Sequence, residues 1–438
     1  MESFDGRERF VRQKIALLTR LFHAGVAVAK PEHCLPPHLP PPPVGRIVVI
    51  GAGKAAAAMA RVVDRHYRHE AVSGCVVTAR GYGHGPGAGP PRIDPSRIEV
   101  LEARHPLPDD QGAAAARRIM AQVAGLSADD LVICLISGGG SALLTLPAPG
   151  ISLEDKIAVT ATMLNAGAPI SQINCVRKHL SGIKGGRLAL ACRPARLVTL
   201  IVSDVPGDDP ADVASGPTVA DPSTLAQARR ALSKYVAAPP VGVVRHFGLE
   251  EAETPKPGDV DLQHARARII VRADDALACV AREVEAAGYS PILLGGDLEG
   301  EAAMIASEHG ALALDYAGRP GRWALISGGE LTVSLGGATG RGGPNTEYLV
   351  ALARALDGHP GTWAIAGDTD GADGSQDCAG AIIGPDSLAR AKALGLDAGR
   401  VLAEHDAYGF FSRLGDLLVT GPTRTNVNDL RVILIDGI

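Results

Sequence analysis

The sequence predicts a two-domain α/β protein, with a parallel sheet in its first half and a mixed sheet in its second. Three observations carry this. Short apolar runs alternate with helical segments along the chain, as strand–helix–strand units require. Glycine clusters follow those runs in RIVVIGAGK (46–54), LVICLISGGGS (131–141) and WALISGG (323–329), where strands open into loops. The length of 438 residues corresponds to two or three domains at roughly 150 residues each.

Residues 8–30 place Phe10, Ile15, Leu18, Leu21 and Phe22 near helical spacing, which predicts an amphipathic helix. The Pro-rich stretch 35–43 then acts as a rigid connector. RIVVIGAGKAAAAMARVV (46–63) reads as a buried strand, a Gly turn and an Ala-rich helix, and SGCVVTARGYG (73–83) as a strand entering a Gly-rich loop. RIEVLEARHPLPDDQG (97–112) is strand, loop and helix start; RLVTLIVSDVPGDDP (196–210) is a strand ending in an acidic loop. The polar, Pro- and Gly-containing region around 236–262 is the expected linker. The expected domains are therefore 1–240 and 263–438, joined by 241–262. Beyond it, RIIVRADD, SPILLGG, RWALISGGELTVSL, TWAIAGDTDGADG and DLLVTGP supply further strands. The SGG shared by 137–139 and 327–329 is too short an echo for duplication and reads as convergent loop chemistry.

Lys and Arg number 43 against 48 Asp and Glu, a formal charge of −5 that argues against a nucleic-acid binder. With 46% hydrophobic residues the chain does not belong among disordered proteins. Only nine of the basic residues are Lys, so each one is conspicuous. The seven cysteines form no CxxC, which points to neither a disulfide framework nor a zinc site and suits a reducing cytoplasm. No apolar stretch reaches the ~18 residues of a membrane span, and MESFDGRERF has no apolar core of the kind a signal peptide carries.

Five loops could carry chemistry, and all follow apolar strands, where open α/β sheets bind ligands. Gly51-Ala52-Gly53-Lys54 offers successive backbone N–H groups and a cationic side chain to an anion. It lacks the Walker A spacing and matches the dinucleotide fingerprint only as GxGxxA, with Ala56 at the third position. Ser137-Gly138-Gly139-Gly140-Ser141 reads as a phosphate cradle with flanking hydroxyls. Asp204 and Asp208, in the loop after 196–202, suit Mg²⁺ held through one or two carboxylates, whereas Asp209 reads as a solvated turn. Arg341 stands among glycines beside Asn345, with Glu330 and Glu347 able to orient it or a metal; Glu347 also reads as a helix-start residue. In 367–374, Asp370 and Asp373 are the better ligand candidates. For His105, before Pro106, ligand contact and a structural hydrogen bond are equally open.

This inventory of anion cradles, one Lys, one Arg and loop carboxylates fits phosphoryl transfer better than hydride transfer. The motifs GAGKAA, SGGGSALL, INCVRKHLSGIKGGRLA, SDVPGDDPADVASGPT, ISGGELTV, GRGGPNTE, DTDGADGSQDCAGA and TGPTRTNVNDL together resemble the glycerate kinases whose C-terminal part is called the MOFRL domain. The resemblance runs in order through nearly the whole chain. It implies an N-terminal Rossmann-like parallel sheet flanked by helices and a C-terminal α/β MOFRL-type domain with a mixed sheet. It also implies ATP- and Mg²⁺-dependent conversion of D-glycerate to 2-phospho-D-glycerate in a cleft between the domains. By the same resemblance Lys54 and Arg341 are the essential basic residues and Asp204 the acid near the transferred group. Gly51, Gly53 and Ser137 to Ser141 then line phosphates, and Glu330, Asn345, Glu347, Asp370 and Asn426 face the cleft. A homodimer is a further open expectation, with no nucleic acid or membrane as partner. Where the family reads GRGGRNQE this chain has GRGGPNTE, so Pro344 and Thr346 point to an altered hydroxy-acid preference. Family members also carry the label hydroxypyruvate reductase, which makes an NAD(P)-dependent reductase the alternative.

Overall fold

The computed structural model describes residues 4–83 and 97–437, and these form two compact units, 31–271 and 1–30 with 272–438. The first unit holds a six-stranded sheet in the order β3-β2-β1-β4-β5-β6. Its strands are β1 (Ile47–Ala52), β2 (Val72–Ala79), β3 (Ile98–Ala103), β4 (Leu131–Ile136), β5 (Arg196–Val202) and β6 (Ala265–Val271). Every pair is parallel. The strand order is that of the doubly wound dinucleotide-binding sheet. Strands β1 and β4 are buried along their whole length, which is why their sequences are unbroken apolar runs rather than alternating ones. Gly51 sits inside β1 because a Cβ there would lie 2.2 Å from the Leu135 carbonyl oxygen of β4.

A second apolar cluster in this unit is built mainly by helices: Val159 and Met163 from Leu153–Asn165, Ile173 and Val176 from Ile170–His179, Leu225 and Leu232 from Leu225–Tyr235, and Val243 and Phe247 from Val241–Phe247. The last of these helices lies within the expected linker. The expectation of a linker at 241–262, with a new domain from 263, is therefore corrected. The polar composition of that stretch belongs to its exposed face, while Val243 and Phe247 are buried and β6 completes the first sheet. The division falls at Val271/Arg272 instead.

Glu253 fastens the same stretch down. Its carboxylate accepts from the Leu225 and Thr254 N–H groups and pairs with Lys256 and His179. Burial alone would raise its pKa, but these partners, led by Lys256, outweigh burial and hold it at about 2. A carboxyl held below its unfolded value of 4.5 adds stability above that pH and loses it as pH falls toward 2. Glu253→Gln is thus expected to lower the calorimetric midpoint at pH 7 and to change little at pH 2, flattening the acid limb.

The second unit is built on the order β13-β12-β11-β14-β9-β7. These are β7 (Ser290–Leu293), β9 (Arg322–Ser327), β11 (Thr362–Asp368), β12 (Gly380–Ile383), β13 (Leu417–Leu418) and β14 (Asp429–Asp436), with β8 (Glu299–Glu301) and β10 (Glu330–Thr332) forming a separate parallel pair. Only β7/β9 is parallel in the large sheet; the other pairs are antiparallel, so the sheet is mixed, as its sequence predicts. The helices Ala302–Ala317 and Pro344–Leu356 supply one core. The N-terminal helix Phe4–Val28 supplies the other, packing Leu18, Leu21, Phe22 and Val26 with Val280, Ile365 and Val432. That helix therefore belongs with the C-terminal half, not with 31–240 as expected from chain order. Lys14 anchors it, donating to Tyr289 Oη at 2.5 Å and to Asp436. The two SGG segments also differ: the first follows a strand parallel to both its neighbours, the second a strand parallel to β7 but antiparallel to β14, after which Gly329, at φ +88°, closes against Leu298.

Candidate active site

In the first unit, β1, β4 and β5 are neighbours, so the loops after Ala52, Ile136 and Val202 share one sheet edge. Lys54, Ser137 to Ser141 and Asp204 are brought to that edge together. The amides of the first loop are not open to a ligand, however. Gly53 N–H donates to Val77 O, Lys54 N–H to Gly138 O, Ala55 N–H to Ser137 Oγ and Ala56 N–H to Gly53 O, all at 2.8–3.1 Å. Gly53, at φ +136°, allows this closure, since a Cβ there would lie 2.2 Å from Ser137 Oγ. The Gly51–Lys54 loop thus contributes the half-buried Lys54 side chain rather than an anion cradle. Ser137 is fully buried and splints the two loops together. In the second loop, the amides of Gly138 and Gly139 take no partner among the described residues. Ser141 Oγ lies 2.9 Å from Ser215 Oγ. Ser215 is held at φ +61° beside Ala214 at φ +53°, two successive left-handed non-Gly residues of the kind that store strain at functional sites.

After β5, Asp209 accepts from Ala211 N–H at 2.8 Å, an ordinary turn, as expected. Asp212 pairs with Lys178. Asp204 and Asp208 are half-buried, and Asp208 has φ +52°. Among the described residues no three His, Cys, Asp or Glu side chains group to hold a metal by themselves. That donor set fits Mg²⁺, which keeps waters and phosphate oxygens and needs one or two carboxylates.

In the second unit, the 340–343 loop is pinned from two sides. Arg341 N–H donates to Asp406 Oδ1 at 3.2 Å, and its carbonyl accepts from Tyr408 N–H at 2.8 Å. A Cβ on Gly340 would meet Glu404 O at 2.1 Å, so only Gly fits that approach. The Arg341 guanidinium is exposed, lies 4.2 Å over the Tyr408 ring and reaches Gln376 Oε1 at 3.4 Å. Behind the loop lies a buried polar cluster. Asp373 accepts from the Asn345 and Thr346 N–H groups, both at 2.9 Å, and from Thr346 Oγ1 at 2.7 Å. Burial, aided by Asp429, raises its pKa to about 6. Asn345 Nδ2 donates to Asp429 Oδ1 at 2.6 Å, and Asp429 pairs with the buried Arg431. Asn345 Oδ1 is buried without a partner among the described residues. Glu347 accepts from His405 Nδ1 at 2.9 Å, and burial raises its pKa.

Pro344 and Thr346 have local reasons. Pro344 is the first residue of its helix, where a missing N–H costs nothing. Thr346 Oγ1 accepts from Gly343 N–H at 3.0 Å and is fully buried, so it caps the helix start. Asp370 and Asn426 come close through the Thr369–Asn428 pairing, and both are buried. Their side chains shape the local turns: Asp370 Oδ1 accepts from Ala372 N–H and Asn426 Oδ1 from Asn428 N–H. Glu330 is exposed at the start of β10. Sequence reasoning missed Lys156 and Arg177, which line a cavity of about 200 Å³ with His105, Gly139 and Ser141. Both lie on helices without a glycine-loop signature.

Comparison with known proteins places the chain in a family. A family described as a domain of unknown function (DUF4147) matches residues 17–248, and the MOFRL family matches 323–429. A protein of Agrobacterium vitis with the provisional name hydroxypyruvate reductase is 50% identical, over 98% of this chain and 97% of its own. Glycerate 2-kinase of Pyrococcus horikoshii is 38% identical, over 89% of this chain and 88% of its own. The crystal structure of glycerate kinase from Thermotoga maritima superposes with a TM-score of 0.85 at 34% identity, covering 97% of this chain and 100% of that one. The chain belongs to the glycerate kinase family that carries a MOFRL domain.

Proposed function

We propose that the protein phosphorylates D-glycerate at its 2-hydroxyl with ATP and Mg²⁺. The observation that carries this is the sheet edge where Lys54, the open Gly138 and Gly139 amides and Asp204 converge. Phosphoryl transfer asks mainly for positioning and charge neutralisation, and these groups supply both. Lys54 balances phosphate charge, and the glycine amides take phosphate oxygens. Asp204, with Asp208, would hold Mg²⁺, which when bound shields the charge on the nucleotide phosphates. Arg341, fixed by its pinned loop, neutralises charge on the transferred group, and Asn345 and Glu347 keep that loop's helix in place.

The reductase name carried by the Agrobacterium relative is the second reading. The amide bonding of the Gly51–Lys54 loop weighs against it. A dinucleotide pyrophosphate needs the N–H groups that this chain spends on Val77, Ser137 and Gly138. Parallel assays decide between the two. ATP, Mg²⁺ and D-glycerate should yield ADP, while hydroxypyruvate with NADH or NADPH should leave the 340 nm absorbance unchanged. Nicotinamide oxidation without ATP consumption would reverse the assignment. A cytoplasmic location belongs to the same proposal, since all seven cysteines are free thiols, the form a reducing compartment maintains.

A further inference from the structure

The cavity beside the Gly139–Ser141 loop contains a cation without a counter-ion. Lys156 is 5% exposed, and its Nζ has no hydrogen-bond partner among the described residues. It lines the cavity with Arg177, Ser141 and His105, against an apolar wall that includes Ile157 and Leu164. No carboxylate lines the cavity among the described residues. The surroundings add positive charge rather than cancel it. Lys184 is fully buried and spends its ammonium on Ala214 O at 3.1 Å. Lys178 already has Asp212 and Asp221, and Arg187 is spent on the carbonyls of Lys178 and of residues 251–253. Burial, with Arg177 and Arg187, pushes the Lys156 ammonium down to about 7. A buried cation kept without a partner is costly to the fold, and an anion would repay it.

We propose that this cavity holds the carboxylate of the hydroxy-acid substrate, gripped by Lys156 and Arg177 with the Ser141 hydroxyl alongside. The assignment rests on the kinase reading above. A single negative charge suits the site better than a polyphosphate. The cavity is small, its wall is largely apolar, and burial lowers the pKa of both its cations. The amides of Gly138 and Gly139, which take no partner among the described residues, remain available for phosphate. Lys156 is therefore a substrate-binding residue that sets the preference for an α-hydroxy acid over a neutral alcohol.

The test is Lys156→Met assayed at saturating ATP and Mg²⁺. Loss of a charge-assisted bond to a carboxylate is expected to raise the KM for D-glycerate roughly 10- to 100-fold. The KM for ATP should stay put, and Lys156→Arg should recover most of the affinity. Because methionine removes an unpartnered buried charge, the melting temperature should equal or exceed that of the wild type, which a merely structural lysine would not allow. An unchanged KM for glycerate, or an equal rise for ATP, overturns the site. Should Lys156→Met not fold, Arg177→Gln, at a half-buried position, carries the same kinetic expectation. A nucleotide-free arm separates this inference from the kinase reading. D-glycerate should stabilise the wild type to heat and not Lys156→Met, whether or not phosphoryl transfer occurs. Stabilisation by inorganic phosphate in place of D-glycerate, lost in the variant, would assign the cavity to phosphate and overturn the carboxylate.

Discussion

Lys54→Ala and Arg341→Ala are each expected to abolish turnover, with a fall in kcat of the order of 10³–10⁵ if each neutralises charge on the transferring group. Neither change should disturb the fold. The Lys54 loop is closed by backbone bonds and by Ser137 Oγ, none of which uses the lysine side chain. The Arg341 loop is closed by Asp406 and Tyr408 through the backbone, and its guanidinium is exposed. Arg341→Lys should rescue poorly, because a point charge lacks the planar fork that clasps phosphate and stacks on the Tyr408 ring. The check is a coupled ADP assay on variants whose circular dichroism and melting match the wild type. Full activity in both alanine variants would remove these residues from the mechanism.

The largest effect on stability is expected from Arg431→Leu. Arg431 is 1% exposed, donates to Gly328 O at 2.7 Å and pairs with Asp429, whose other carboxylate contact is Asn345. Removing one partner of a buried pair strands the other charge and costs roughly 3–5 kcal/mol. Replacing both Arg431 and Asp429 by leucine should cost less than the single change, because no charge is left stranded. Urea unfolding followed by tryptophan fluorescence reads this directly. Both tryptophans, Trp323 and Trp363, lie in the sheet of the same unit, on β9 and β11. A midpoint within error of the wild type for Arg431→Leu would refute the account of this cluster. Because Asn345 hangs on Asp429, the variant should also lose activity before it loses its fold.

Much of the architecture is legible because buried parallel strands demand unbroken apolar runs. Residues 47–52, 131–136 and 196–202 announce themselves in that way, and their following loops carry Lys54, the Ser137–Ser141 segment and Asp204. Other features depend on pairing that no local pattern encodes. Ser137 reads as a ligand hydroxyl beside three glycines, yet it is spent on Ala55 N–H, a partner 82 residues away. The helix 4–28 is plain from its periodicity, but its companions Val280, Ile365 and Val432 are hundreds of residues distant. The stretch 241–262 looks like a linker since its exposed face dominates its composition, while Val243, Phe247 and Glu253 do the fastening. Lys156 is the sharpest case. Its identity is visible, and lysines are scarce in this chain, but that its ammonium lacks a partner emerges only when helix 153–165 meets Arg177 and the Gly139 loop. The basic run in INCVRKHLSGIKGGRLA was the available signal: four cations within 171–188 among apolar neighbours ask for anions or carbonyls.

Phosphoryl transfer to the 2-hydroxyl of D-glycerate is open to phosphorus NMR of the purified protein with ATP, Mg²⁺ and D-glycerate. The γ-phosphate signal of ATP should decline while a 2-phosphoglycerate signal grows at the same rate. A 3-phosphoglycerate signal would contradict the regiochemistry, and an unchanged ATP spectrum with D-glycerate present would contradict the reaction itself.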